Sequence, residues 1–96
     1  MRRLYIVAYD IRDPKRWRKI FRVMRGFGDH LQLSVFRCEL SEKEKMEMIM
    51  KLDPNLHHEE DQVLIIPMGP AGGETEQEVI SLGLPYHPSE RSAIII

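Results

Sequence analysis

The side chains able to do chemistry are few and scattered, and the first of them is Asp10, directly after the apolar run RLYIVAY at residues 3–9. An aspartate at the end of a strand is as well placed to cap the next turn as to hold a ligand. Asp13 stands before Pro14, where a helix N-cap belongs. Ser34 has no base beside it, so spacing gives nucleophilic catalysis little support. His57-His58 has the residue type of a metal site, but adjacent residues do not share a helix face, no cysteine lies near, and the preceding Pro-Asn suggests an exposed loop. Gly69-Pro70-Ala71-Gly72-Gly73 lacks the Lys and Ser/Thr of a phosphate-binding loop and reads as a turn. Besides Asp10, what stands out is a dense run of cations, Lys15, Arg16, Arg18, Lys19, Arg22 and Arg25, a pattern suited to a polyanion.

The elements that must position these groups follow from periodicity. Residues 3–9 are apolar on both alternating faces, as in a central strand covered on both sides. Trp17, Ile20, Phe21 and Met24 recur at helical spacing, which predicts a helix over about 14–25 with the cations on its other face and Gly26-Phe27-Gly28 as its stop. Residues 30–40 are extended but contain no turn dipeptide, so one bent strand and two strands are both compatible with them. Ser41 with Glu44 forms a capping box for a second helix, expected to pack through Met46, Ile49 and Met50 and to end at Asp53-Pro54. Gln62 to Met68 reads as a second buried strand ended by Pro67, Val79-Ile80 as a short strand, and Ser92 to Ile96 as a final apolar strand. An unpaired apolar strand invites aggregation, so pairing across a dimer is expected for it. The order of elements is α+β, with a ferredoxin-like sheet expected.

The chain's 96 residues fit one domain. A chain of that size buries only about two-thirds of its unfolded surface, which favours oligomerisation. The single cysteine, Cys38, allows no internal disulfide, and the first apolar run is too short for a signal peptide or membrane span, so a cytoplasmic protein with no membrane partner is expected. The net charge of −1 conceals a division: residues 1–37 carry ten Lys or Arg against three Asp, a net +7, and the remainder is −8. Such asymmetry within one domain suggests a basic face for nucleic acid.

Tyr9-Asp10-Ile11-Arg12-Asp13, the basic helix after it, and Gln32-Leu33-Ser34-Val35-Phe36 occur in that order. Together they resemble the small CRISPR adaptation proteins that partner the CRISPR integrase, and the C-terminal apolar strand is similar as well, so the likeness covers almost the whole chain. The resemblance implies a homodimeric ferredoxin-like βαββαβ sandwich with an additional C-terminal strand. It implies a role in spacer acquisition and a metal-dependent endonuclease acting on single-stranded RNA or double-stranded DNA. Asp10 then matches the family's catalytic, metal-associated aspartate, with Mg²⁺ or Mn²⁺ as cofactor, while Tyr9, Arg16, Arg18 and Phe36 fall at positions associated with nucleic-acid binding. His30 stands where some members have an arginine, and supplies positive charge only when protonated.

One aspartate per chain is too few for an ordinary phosphodiesterase metal site, but a two-fold axis beside Asp10 would bring two carboxylates together. Two other functions are compatible with the same residues. One is a non-catalytic scaffold that bridges integrase subunits and holds a DNA fragment along its basic faces. The other is an RNA- or ligand-binding ferredoxin-like module outside CRISPR, since one fold serves many functions.

Overall fold

The computed structural model describes residues 1–72 and 80–85. Its elements run β1 (Arg3–Asp10), α1 (Pro14–Arg25), β2 (Asp29–Gln32), β3 (Val35–Leu40), α2 (Glu42–Leu52) and β4 (Gln62–Pro70), with a short 3₁₀ turn at Asp53–Asn55. The strands form one antiparallel sheet in the order β2-β3-β1-β4, which is the ferredoxin-like arrangement. β1 is central, as its two apolar faces require. The final strand expected at Ser92 to Ile96 and Val79 of the short one lie outside the described residues, and Ile80 is in no strand.

Both helices pack on one face of the sheet, because alternate strand residues are apolar on that side. Tyr5, Val7 and Tyr9 of β1 and Phe36, Cys38 and Leu40 of β3 meet Ile20 and Met24 of α1 and Met48 and Leu52 of α2 in one buried cluster. The opposite face carries Ile6, Ala8 and Asp10 of β1, directly across from Ile66, Leu64 and Gln62 of β4. Among the described residues no element covers it, and Leu64, Ile66 and Met68 are 40–47% exposed.

The caps agree with the sequence. Asp13 accepts a hydrogen bond from the Arg16 amide at 2.9 Å, and Ser41 and Glu44 bond reciprocally as a capping box.

One open alternative is decided and two local expectations are corrected. Residues 29–40 form a hairpin of two strands, joined by Leu33-Ser34. Among the described residues no non-glycine residue has positive φ, so this turn lacks the conformation that hairpin sequence signals describe. It is held from outside: Tyr9 Oη donates to the Leu33 carbonyl at 2.8 Å, the Tyr9 amide to the Ser34 carbonyl at 3.0 Å, and Trp17 Nε1 to Ser34 Oγ at 3.0 Å. In α2 the packed face is Met48 and Leu52, while Met46 and Met50 are exposed. With methionine at 46, 48 and 50 the apolar stripe fits the helical period in more than one phase. Finally, β4 continues through Pro67 to Pro70 by a register shift opposite Leu4/Tyr5. It is an edge strand, so the missing Pro67 amide leaves no ladder bond unmade on its outer side.

Candidate functional site

The candidate site lies where β1 ends and the chain turns into α1. Asp10 is the last residue of β1, exposed on the uncovered face, and its side chain makes no hydrogen bond or ion pair among the described residues. It stands opposite Gln62, the first residue of β4. Two surface clefts, of about 450 and 510 Å³, lie elsewhere, the first lined by Phe27, Glu39 and Lys51 among others, the second by Ile49 and Pro67 among others. Asp10 lines neither of these two clefts and is exposed, an accessibility that suits contact with an extended polymer.

The other residues singled out in the sequence divide into three groups. Tyr9 and Phe36, expected to touch nucleic acid, are core residues: Phe36 is 0% and Tyr9 6% exposed, and their rings stack at 6.2 Å. Burial pushes the Tyr9 phenol up, and its hydroxyl is engaged by Leu33. Tyr9 thus supports Asp10 by fixing the end of β1 against the hairpin turn. His30 packs its ring against Phe21 and Phe36, at 5.9 and 6.0 Å.

Arg16 is already engaged. Its Nε donates to Asp61 Oδ2 at 2.7 Å, and its Nη2 donates to Asp61 Oδ1 at 3.2 Å and to Glu60 Oε1 at 3.1 Å. This forked, charge-assisted contact is the strong form of an arginine–carboxylate pair. The bond from Arg16, with further bonds from the His57 and Arg12 amides, holds the Asp61 carboxyl well below the usual carboxylate range against the opposing effect of desolvation. Asp61 in turn pushes the Arg16 guanidinium up. Nothing in the spacing marks Asp61, because the Arg16 side chain and the Arg12 amide that bind it are 45 and 49 residues away. The sequence shows it only as the last of three consecutive carboxylates, Glu59-Glu60-Asp61, immediately before a strand.

Arg18 belongs to the third group, with Lys15, Lys19 and Arg22: all four are exposed on α1 and make no ion pair among the described residues. The basic face expected from composition is therefore available to a polyanion. No three His, Cys, Asp or Glu side chains converge as a metal cage among the described residues. His57 and His58 do not form one: the His57 amide bonds Asp61, and His58 Nε2 meets Asp53 Oδ1 at 2.9 Å. For Mg²⁺, a hard cation that takes one or two carboxylates and fills its octahedron with water and phosphate, the exposed Asp10 oxygens are chemically suitable donors. No helix of the described residues is long and apolar enough to cross a membrane.

Comparison with known proteins bears on this arrangement. Residues 1–73 match the family described as CRISPR associated protein Cas2. A protein of Geobacter sulfurreducens named CRISPR-associated endoribonuclease Cas2 is 44% identical over 96 residues, covering 100% of both chains. One of Rhodospirillum rubrum, named CRISPR-associated endoribonuclease Cas2 1, is 45% identical over 96% of this chain and 89% of its own. Among solved structures, the hypothetical protein TT1823 from Thermus thermophilus superposes with a TM-score of 0.75 at 31% identity, covering 93% of this chain and 100% of that one. A crystal structure titled cas2 gives 0.76 at 26% identity, over 94% of this chain and 97% of that one. The ordered motifs, the sheet order and these likenesses agree: the chain belongs to the Cas2 family of CRISPR-associated proteins, not to a ferredoxin-like module outside CRISPR.

Proposed function

We propose that this chain is a nucleic-acid-binding homodimer of CRISPR adaptation in which Asp10 of each protomer holds a Mg²⁺ ion, with Mn²⁺ as the alternative, for cleavage of phosphodiester bonds. The observation that carries this is Asp10 itself: a carboxylate that is exposed and, among the described residues, has no side-chain partner, at the end of the strand that leads into a row of cations with no ion pair among those residues. The names of the relatives favour RNA as substrate, and double-stranded DNA fits the same basic face.

The dimer reading is supported by the sheet face that no described element covers. Ile6, Ala8, Leu64, Ile66 and Met68 form an apolar surface that a lone soluble domain would leave in water, and such patches mark interaction sites. A second copy placed on it about a two-fold axis contributes the same residues, so two Asp10 carboxylates flank one interface. A divalent ion held there supplies Lewis-acid polarisation of the phosphodiester and a more acidic bound water. The chain's own residues do the rest: Arg18, Lys15, Lys19 and Arg22 bind backbone phosphates, and Tyr9 keeps the end of β1 in place through its bond to Leu33. The CRISPR integrase is the expected partner. A buried Cys38 in no disulfide suits a reducing cytoplasm.

A second role, the non-catalytic scaffold that holds DNA for the integrase, is favoured by one observation: each protomer offers a single free carboxylate at this position and no metal cage among its described residues. One experiment separates the two. Labelled single-stranded RNA and double-stranded DNA are incubated with the purified protein in Mg²⁺, in EDTA, and with Asp10→Ala, alongside a binding assay. Metal-dependent cleavage that disappears in Asp10→Ala while binding persists is expected. Salt-sensitive binding with no cleavage assigns the scaffold role instead.

A further inference from the structure

We propose that Asp61 is a positioning residue for Asp10, and that Arg16 is the other half of this clamp rather than a contact to nucleic acid. The inference rests on Asp10 as the metal-holding carboxylate. The side chain of Asp61 is 0% exposed, yet it is saturated with donors. Its Oδ1 accepts from the Arg12 amide at 3.0 Å and Arg16 Nη2 at 3.2 Å. Its Oδ2 accepts from Arg16 Nε at 2.7 Å and the His57 amide at 2.9 Å. A carboxylate has about four lone-pair sites, and all are occupied here.

The placement of these bonds matters as much as their number. Arg12 lies two residues past Asp10, and Asp61 directly precedes Gln62, the residue paired with Asp10 across the sheet. One carboxylate thus ties the exit of β1 to the entry of β4 on either side of Asp10, and through Arg16 it also ties both to the first turn of α1. A ligating side chain has to be held to within about 0.5 Å of its working position by the groups behind it. Asp61 supplies that hold to the segment carrying Asp10. Arg16 is the charge that allows Asp61 to be buried ionised, and a nucleic-acid phosphate that took its Nε and Nη2 in a fork would have to displace Asp61 and Glu60. Among the described residues Arg18 faces no such competition.

The test uses the full-length protein and the variants Asp61→Asn, Arg16→Ala, Arg16→Lys and Arg18→Ala, with folding checked first by circular dichroism. The readouts are amide exchange at Arg12 and His57, Mn²⁺ affinity by calorimetry, and the salt dependence of duplex DNA binding. Asp61→Asn is expected to speed exchange at both amides and to weaken Mn²⁺ binding by about 10-fold, the lower end of what losing a group bonded directly to a metal ligand costs, because Asp61 acts on Asp10 through the backbone. Arg16→Ala should do the same, a protein carrying both Asp61→Asn and Arg16→Ala should be no worse than either single variant, and Arg16→Lys should fall between, keeping the charge but losing the fork. Arg18→Ala should lower the slope of log K against log salt by about 0.9, while Arg16→Ala leaves it unchanged. An Arg16→Ala slope that falls as Arg18→Ala's does, or unaltered Arg12 exchange and Mn²⁺ affinity in Asp61→Asn, overturns the inference. Wild-type protein that binds no Mn²⁺ overturns the metal role of Asp10 itself; the clamp is then decided by exchange and salt slope, where unchanged exchange in Asp61→Asn refutes it.

Discussion

Gly28→Ala is expected to be among the most damaging single-methyl changes in this chain. Gly28 is buried at the start of β2, and a Cβ built there falls on the Arg37 carbonyl oxygen and the Cys38 sulfur of β3, with the Arg37 carbonyl carbon at 3.1 Å. Carbon and its neighbours prefer about 3.5–4.0 Å, so β2 has to move off β3 by roughly 1 Å. Overpacking a tight site costs about 1–3 kcal/mol, and backbone on one side of the clash puts this position at about 3. For a domain of this size each kcal/mol lowers Tm by roughly 4–8 °C, giving a fall of about 12–24 °C. Native stabilities of about 5–15 kcal/mol mean the variant still folds at 25 °C. Thermal and urea unfolding at one fixed protein concentration measures the loss, fixed because the proposed dimer would make Tm concentration-dependent. Gly26→Ala is the control: its Cβ meets only the Val23 carbonyl oxygen, at 3.3 Å, so a change within about 1 kcal/mol is expected. Cys38→Ala placed beside Gly28→Ala should recover part of the loss and not all of it, since the Arg37 carbonyl stays. A Gly28→Ala protein that melts within about 2 °C of wild type, a shift below what 1 kcal/mol produces, refutes the claim that β2 and β3 have no slack there.

Three further outcomes are expected. Tyr9→Phe leaves the Leu33 carbonyl without its donor and should cost about 1 kcal/mol in urea unfolding, with the fold kept. Ser41→Ala removes the side-chain half of the α2 capping box and should also cost about 1 kcal/mol, or roughly 4–8 °C in Tm. The folded Asp61 carboxyl titrates below its unfolded value of 3.8, so its contribution is present above that pH and is lost as pH falls through the folded value. Asp61→Asn should therefore be less stable than wild type at pH 7, with the gap closing in acid unfolding scans below pH 4; a gap independent of pH would contradict the assignment.

What the sequence made legible was local. β1, α1 and both caps were readable because each is written within a dozen residues: an apolar run, a 3.6-residue stripe, an Asp before a Pro, a Ser three residues before a Glu. The hairpin was not, because Leu33-Ser34 carries no turn chemistry of its own and depends on Tyr9 and Trp17. The face of α2 was ambiguous because methionines at 46, 48 and 50 satisfy the helical period in more than one phase. At the candidate site, Asp10 was placed by its motif at a strand end, and the structure puts it there. The engagement of Arg16 was hidden for a different reason: in a run of six cations, composition alone cannot tell which one is turned inward, and its partner Asp61 is 45 residues away.

The bond from the Trp17 indole to Ser34 also bears on how the chain folds. A hairpin whose turn has no local preference gains nothing by closing early, and a two-stranded ribbon is at best marginal alone in water. β2 and β3 should consequently close only once β1 and α1 are present to receive the turn, which makes the rate depend on contacts distant in sequence. Trp17 is the chain's single tryptophan, so its fluorescence reports on that docking without a label. In refolding from urea, its signal and the gain of sheet by circular dichroism should rise together in one phase.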